Sequence, residues 1–227
     1  MATAELIINR VRTQLVDTGH VQRWSDEELL RWISDGQRTI ALAVPSAVSK
    51  RLTVQLTEGT LQELPSDGHL LLSVIRNMGT DGQTPGRAIR LVTREIMDAQ
   101  NPDWHSAPKE TVIKNYVFDP QERTSFWVYP PSNGRGYVQL NYAYVPDELT
   151  SVADELVVAR IWYTPLFDYV MWRAHQKDSE FAAGQQVANG YLQTFIAAIG
   201  VQGDGESQDN PNLQLTPFNP LVRGAAK

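Results

Sequence analysis

Cysteine is absent from the 227 residues, which excludes a disulfide framework and any thiolate metal site. Long apolar runs are missing as well. The longest, such as Leu70–Ile75, fall far short of the roughly 20 residues needed to cross a bilayer, so a soluble protein without membrane contact is expected. Only four histidines occur, His20, His69, His105 and His175, and none stands in a spacing that puts two ligands on one helical face. Positive charge is in deficit, with 20 Lys and Arg against 26 Asp and Glu and a net charge of -6. That balance argues against gripping nucleic acid by neutralising its phosphates, although DNA could pass nearby without being held. Met1–Arg12 mixes acid and base in an amphipathic pattern, so no signal peptide is expected. There is no internal repeat and no long run of like charge.

What is present is a layout. Leu6, Ile7, Val11, Leu15 and Val16 recur with helical spacing, predicting a helix over about 3–17 that stops near Gly19. Ser25 and Glu28 form a capping box for a second helix carrying Leu30, Ile33, Gln37, Ile40 and Ala41 as far as Pro45, with Trp24 packing on Leu29 as a hydrophobic staple. The period then drops to two: Leu52, Val54 and Leu56 alternate with polar residues and predict a half-buried strand. Residues 70–75, 87–93 and 111–118 are further strand candidates, with a short helix over 94–100 between the last two. A hairpin is predicted from Ser125–Tyr129, a turn through Pro130, Pro131, Asn133, Gly134 and Gly136, and then Tyr137–Val145. The helical period returns from Arg160 to Lys177, with Pro165 early in it. Asp178 is placed to cap a last helix bearing Phe181, Val187, Tyr191, Phe195 and Ile199, which Gly200 should stop.

These elements predict an α+β fold. Residues 1–45 and 151–200 should form a helical bundle, residues 46–150 an inserted antiparallel β-sheet or sandwich layer, and residues 201–227 an extended tail too polar and too rich in Gly and Pro to build a core. Such a shape suits assembly better than chemistry.

The search for chemistry yields little. Asp98 and Asp103 flank Trp104 and suggest a paired-carboxylate site, as in a peptidoglycan hydrolase, but acids in polar loops are ordinarily caps and turn formers. Ser106 and Ser132 lack a nucleophile elbow, and Gly82, Gly86, Gly134 and Gly136 lack the Lys and following helix of a phosphate loop. No catalytic residue, metal ligand or cofactor is therefore assigned, and the protein is expected not to be an enzyme. Tyr116, Phe118, Phe126, Trp127, Tyr129, Tyr137, Tyr142 and Tyr144 crowd the strands and resemble a stacking platform for bases or sugars, although aromatics also fill sheet cores and few basic residues lie among them. In the tail, Leu213, Leu215, Phe218, Leu221 and Val222 lie within ten residues of one another among Asn and Pro, a pattern for a segment that orders against a partner.

Taken in order, several short motifs resemble phage head-to-tail adaptor proteins, the connectors of short-tailed phages related to tail tubular protein A. They are Trp24–Leu30, Asp35–Arg38 to Pro45, Gly59–Pro65, Arg76–Met78, Pro102–Trp104, Tyr116 with Phe118–Pro120, Phe126–Pro131, and Asp168–Val170 with Arg173, Ala174, Lys177 and Asp178. Pro165 departs from the pattern. The resemblance implies a virion protein at the head–tail junction, assembled in the host cytoplasm as a homo-oligomeric ring, usually of about twelve copies. Its partners would be the portal protein above and the tail nozzle or tail tube protein below, with DNA passing through the channel without specific binding. On that reading Leu213, Leu215, Phe218 and Leu221 form the portal-docking tail. The rival expectation is a receptor- or carbohydrate-binding tail protein that uses the aromatic sheet.

Overall fold

A computed structural model describes residues 2–178 and 182–209. In chain order the elements are α1 (Ala4–Leu15), α2 (Asp26–Ala43), β1 (Ser49–Gln55), β2 (Glu58–Glu63), β3 (Gly68–Asn77), β4 (Arg90–Leu91), α3 (Arg94–Gln100), β5 (Asn115–Val117), β6 (Ser125–Asn133), β7 (Tyr137–Tyr144), α4 (Tyr163–Lys177) and α5 (Ala182–Asp209). Single 3-10 turns lie at Pro45–Val48, Trp104–Ser106 and Arg160–Trp162. Among the described residues the fold is mixed α+β, with five α-helices and two sheets of three and four strands. The chain divides into two compact units. The first comprises Met1–Gly36, Leu149–Leu156 and Arg160–Lys227, the second Gln37–Glu148 and Val157–Ala159, so the division falls inside α2.

In the first unit, α1 packs on α4 and α4 on α5. The opening amides of α1 have no side-chain cap; Ala4 and Glu5 donate instead to the carbonyls of Asp154 and Val152, both at 2.9 Å. The helix ends earlier than the pattern suggests, at Val16, whose φ of 55° is left-handed. The reason is Asp17, drawn inward to accept from the Arg12 guanidinium (3.2 Å) and from the amides of Arg23 (2.8 Å) and Trp24 (3.3 Å). Turning the chain one residue before that buried carboxylate places a β-branched residue in a conformation it disfavours. Half of the expected capping box forms: the Glu28 amide donates to Ser25 Oγ at 3.2 Å, while the Glu28 carboxylate is taken by Lys177. The ring partner of Trp24 is Trp32, at 5.4 Å between centroids. Where α2 meets α4, a Cβ on Gly36 would fall 2.6 Å from Leu166 Cδ1 and 3.0 Å from the Tyr169 ring, so glycine permits the close approach.

The last helices meet one expectation and correct another. Pro165 lies in the first turn of α4, where its missing N–H leaves no bond unmade, and the preceding 3-10 turn carries the chain into the helix. Asp178 closes α4, its amide donating to the Ala174 carbonyl at 3.2 Å and its carboxylate pairing with Arg23, and its expected role as cap of the last helix falls on residues 179–181, outside the described residues. Phe181 lies outside the described residues. Gly200 does not stop α5, which continues to Asp209; residues 201–209, expected to be extended, are helical.

The second unit holds both sheets, ordered β1-β7-β3 and β2-β6-β5-β4. The predicted β6–β7 hairpin does not form as a pair. Each strand joins a different sheet, because the turn between them crosses over: Gly136 accepts from the Leu56 amide (3.0 Å) and Tyr137 donates to Gly79 (2.9 Å). A Cβ on Gly136 would sit 2.4 Å from the Thr111 carbonyl oxygen, which explains the glycine. β6 also continues through Pro130 and Pro131 to Asn133 instead of ending in a turn there. On the β2 side the ladder shifts register between Gly59 and Leu61, so the prolines fall where no ladder donor is needed. The core between the strands contains Leu71, Val74, Ile113, Phe126, Val128, Val138, Leu140 and Tyr142. Asn77, 4% exposed, staples it: its side chain donates to the carbonyls of Arg87 (2.9 Å) and Ile113 (2.8 Å) and accepts from the Ile113 amide (2.8 Å).

Candidate functional site

The supposed carboxylate pair separates into structural roles. Asp98 accepts the indole N–H of Trp104 at 2.9 Å and faces Arg94 across 3.7 Å, while the Asp103 backbone carbonyl accepts from the Ser106 amide at 2.9 Å. Both acids shape the turn that buries Trp104. Asp81 does similar work in a loop, held at about 2 by the Thr84 hydroxyl and the amides of Gln83 and Thr84.

The histidines lie apart. His105 stacks on Trp104 and shares a 2.9 Å hydrogen bond with Thr60 Oγ1, and His175 stacks on Tyr191. His69 lies within the sheet unit. Neither ring nitrogen reaches a partner with hydrogen-bond geometry, and burial lowers its pKa, opposed by the nearby carbonyls of Ala143 and Ala41. Burial lowers the pKa of His175 in the same way. Among the described residues no group of three or more His, Asp or Glu is placed to hold a metal.

The aromatic strands are mostly spoken for. Tyr116, Phe126 and Tyr142 fill the core, and Trp127 and Tyr129 on the opposite face pack against Met97, Trp104 and Val117 beneath α3. Lys50 lies 4.5 Å from the Tyr144 ring centroid and pairs with Asp67, which also accepts from the Tyr142 hydroxyl at 3.1 Å. These contacts hold the Asp67 carboxyl below its usual range and raise the Lys50 ammonium. Phe118, Trp127, Tyr129, Tyr137 and Tyr144 keep part of their surface exposed.

Surfaces suited to assembly are more evident. α5 packs on α4 through Ala188, Tyr191 and Phe195, with Tyr191 edge-on to Phe167 and Phe195 against Tyr169. Its sequence carries no charged residue from Ala182 to Gly203, and Val187 and Ile196 are 48% and 51% exposed. A solvated helix face is ordinarily charged. In the sheet unit, β1 is the end strand of one sheet and β2 of the other, and a groove of about 470 Å³ opens between them over Val54, Leu56, Leu64 and Phe126. The tail residues Leu213, Leu215, Phe218 and Leu221 lie outside the described residues.

Among the described residues the exposed features include apolar side chains on α5 and open strand edges, surfaces on which other chains can seat. The comparison with known families agrees: residues 1–217 match the family described as SU10 adaptor protein. The chain belongs to that family, one of phage head–tail adaptors, and is thus a structural component of a virion that associates with other virion components. No curated protein matches the chain. No helix among the described residues is long and apolar enough to cross a membrane.

Proposed function

We propose that the protein is a non-enzymatic adaptor that forms a homo-oligomeric ring of about twelve copies at the head–tail junction, between the portal and the tail nozzle or tube. The match over residues 1–217 carries this reading. The lack of charge over residues 182–203, with Val187 and Ile196 exposed on either flank of the buried stripe of α5, supports it, because a ring needs surfaces that neighbouring copies can cover. The genome passes through the channel, and a net charge of -6 suits a wall that does not hold phosphates. The helical layer of residues 1–45 and 151–200 and the β-rich layer of residues 46–150 are its two working parts. The segment bearing Leu213, Leu215, Phe218 and Leu221 is the arm that docks on the portal.

Mass by light scattering, measured alone and after mixing with the portal protein of the same virion, tests the proposal. A stable complex of ring size is expected. A protein that stays monomeric and ignores the portal overturns it.

A further inference from the structure

We infer that the loop between α1 and α2 is a docking knob, and that its two exposed valines, Val16 and Val21, seat on the uncharged surface of α5 around Val187 in a neighbouring copy. The inference rests on the ring reading and deepens it by naming two surfaces that meet.

The loop carries apolar surface from which the single chain gains nothing. Val21 and Val16 are 92% and 84% exposed, the highest values among the large apolar side chains described. Val16 also stands at φ 55° and ψ 33°, a left-handed conformation that glycine or asparagine adopts readily and that strains a β-branched residue. The knob is held in shape at its base. Asp17, 8% exposed, accepts from the Arg12 guanidinium and from the amides of Arg23 and Trp24, which closes the chain between them as a tight loop. That carboxylate turns inward, and residues 16–21 contain no Lys or Arg, so the outer surface is made by Val16, Thr18, Gly19, His20 and Val21. A surface formed in advance loses little freedom on docking.

The seat lies on the other side of the same helical unit. Leu166, Arg173 and Lys177 of α4 meet Gly36, Asp35 and Glu28 of α2. His175 of α4 stacks on Tyr191 of α5, 5.6 Å between centroids. Leu166 and His175 are separated along α4 by about two and a half helical turns, so α2 and α5 lie on opposite sides of it. Trp24, whose ring lies 5.2 Å from the Lys177 ammonium, and Arg23, paired with Asp178, place the loop at the C-terminal end of α4. α5 runs back along α4, Tyr191 meeting His175 and Phe195 meeting Tyr169, which sets Val187 at that same end. A contact between opposite sides at one level repeats from copy to copy without a rise, as a closed ring requires. Loop on loop, or α5 on α5, would pair two copies about a twofold axis and stop there.

Charge selects the match. Residues 182–203 carry no charged side chain, and Val187 is 48% exposed. An uncharged knob on an uncharged helix strips no ion of its water, whereas the exposed strip of α2 carries the ion pair of Glu27 with Arg31.

Val16→Asn relieves the left-handed strain while removing the valine, and Val21→Asp puts a charge where the inference puts a dry contact. Each full-length variant and the parent chain are mixed with the portal protein for mass by light scattering, and urea midpoints are taken on the unassembled chains. Both variants should keep or raise the urea midpoint, and should need about tenfold more protein or beyond to reach ring-sized mass. Variant rings formed at the parent's concentration overturn the inference and leave the ring reading standing; a parent chain that forms no ring overturns both. A lowered midpoint in both variants assigns the valines to folding and overturns the inference too. Cross-linking then tests the seat, and is clean because the chain has no cysteine. Chains carrying Val21→Cys are mixed with chains carrying Val187→Cys, assembled and treated with a short bis-maleimide, with Asn189→Cys, on the other flank of α5, replacing Val187→Cys as the control. A link between the two kinds of chain, weaker in the control, is expected. A ring that forms without that link, or that links the control equally well, overturns the choice of the neighbouring α5.

Discussion

At the residue scale Arg12 joins two helices of the helical unit. Its guanidinium, 6% exposed, donates to Asp17, to the Trp24 carbonyl at 3.0 Å and to Asp26 at 2.6 Å, tying the end of α1 to the start of α2. Arg12→Ala leaves the buried Asp17 carboxylate without its cation and should cost about 3–5 kcal/mol, read as a lowered urea midpoint. The surface pair of Arg31 with Glu27 should cost under about 1 kcal/mol when broken. The two half-buried histidines set a pH dependence. Burial holds His69 and His175 below the ordinary 6.5, so above that value both are neutral whether the chain is folded or unfolded. As pH falls through 6.5 the unfolded chain takes up protons that the folded one resists, and stability is lost. Urea midpoints at successive pH values below neutrality should decline, and His69→Phe should flatten part of that decline.

At the element scale, α5 continues through a residue that normally ends helices. Nothing lies within 4 Å of a Cβ built on Gly200, so Gly200→Ala should stabilise the helix by about 0.5–1 kcal/mol, seen as greater helicity and a raised Tm. Legibility in sequence varied with the kind of signal involved. The short helix α3 lies at Arg94–Gln100, as its composition suggested, because a local pattern bounded by turn residues is decided locally. β6 and β7 were recognisable as strands, yet their partners were not. A glycine turn after two prolines reads as a hairpin, whereas Gly136 is fixed by its clearance from Thr111, a residue 25 positions earlier in the chain.

At the scale of the whole molecule, electrostatics gives a direct prediction. An adaptor whose net charge is -6 should not retard duplex DNA in a gel at physiological salt, and a shift that weakens steeply with added salt would show a phosphate grip that the adaptor reading does not contain. By itself the sequence determined that no thiolate or disulfide chemistry is available, that helices flank a strand-rich middle, and that the chain resembles head–tail adaptors, which the match over residues 1–217 bears out. Composition and periodicity are properties of neighbours along the chain, and so they can be read there. Only the tertiary structure decided that Trp127 and Tyr129 pack against Met97 and Trp104, that Asp98 serves an indole, and that β1 ends a sheet with Leu52 exposed on its core side. Each of these depends on which distant segments meet. A strand's sequence carries its alternation but not the identity of the strand beside it, nor whether any strand is there.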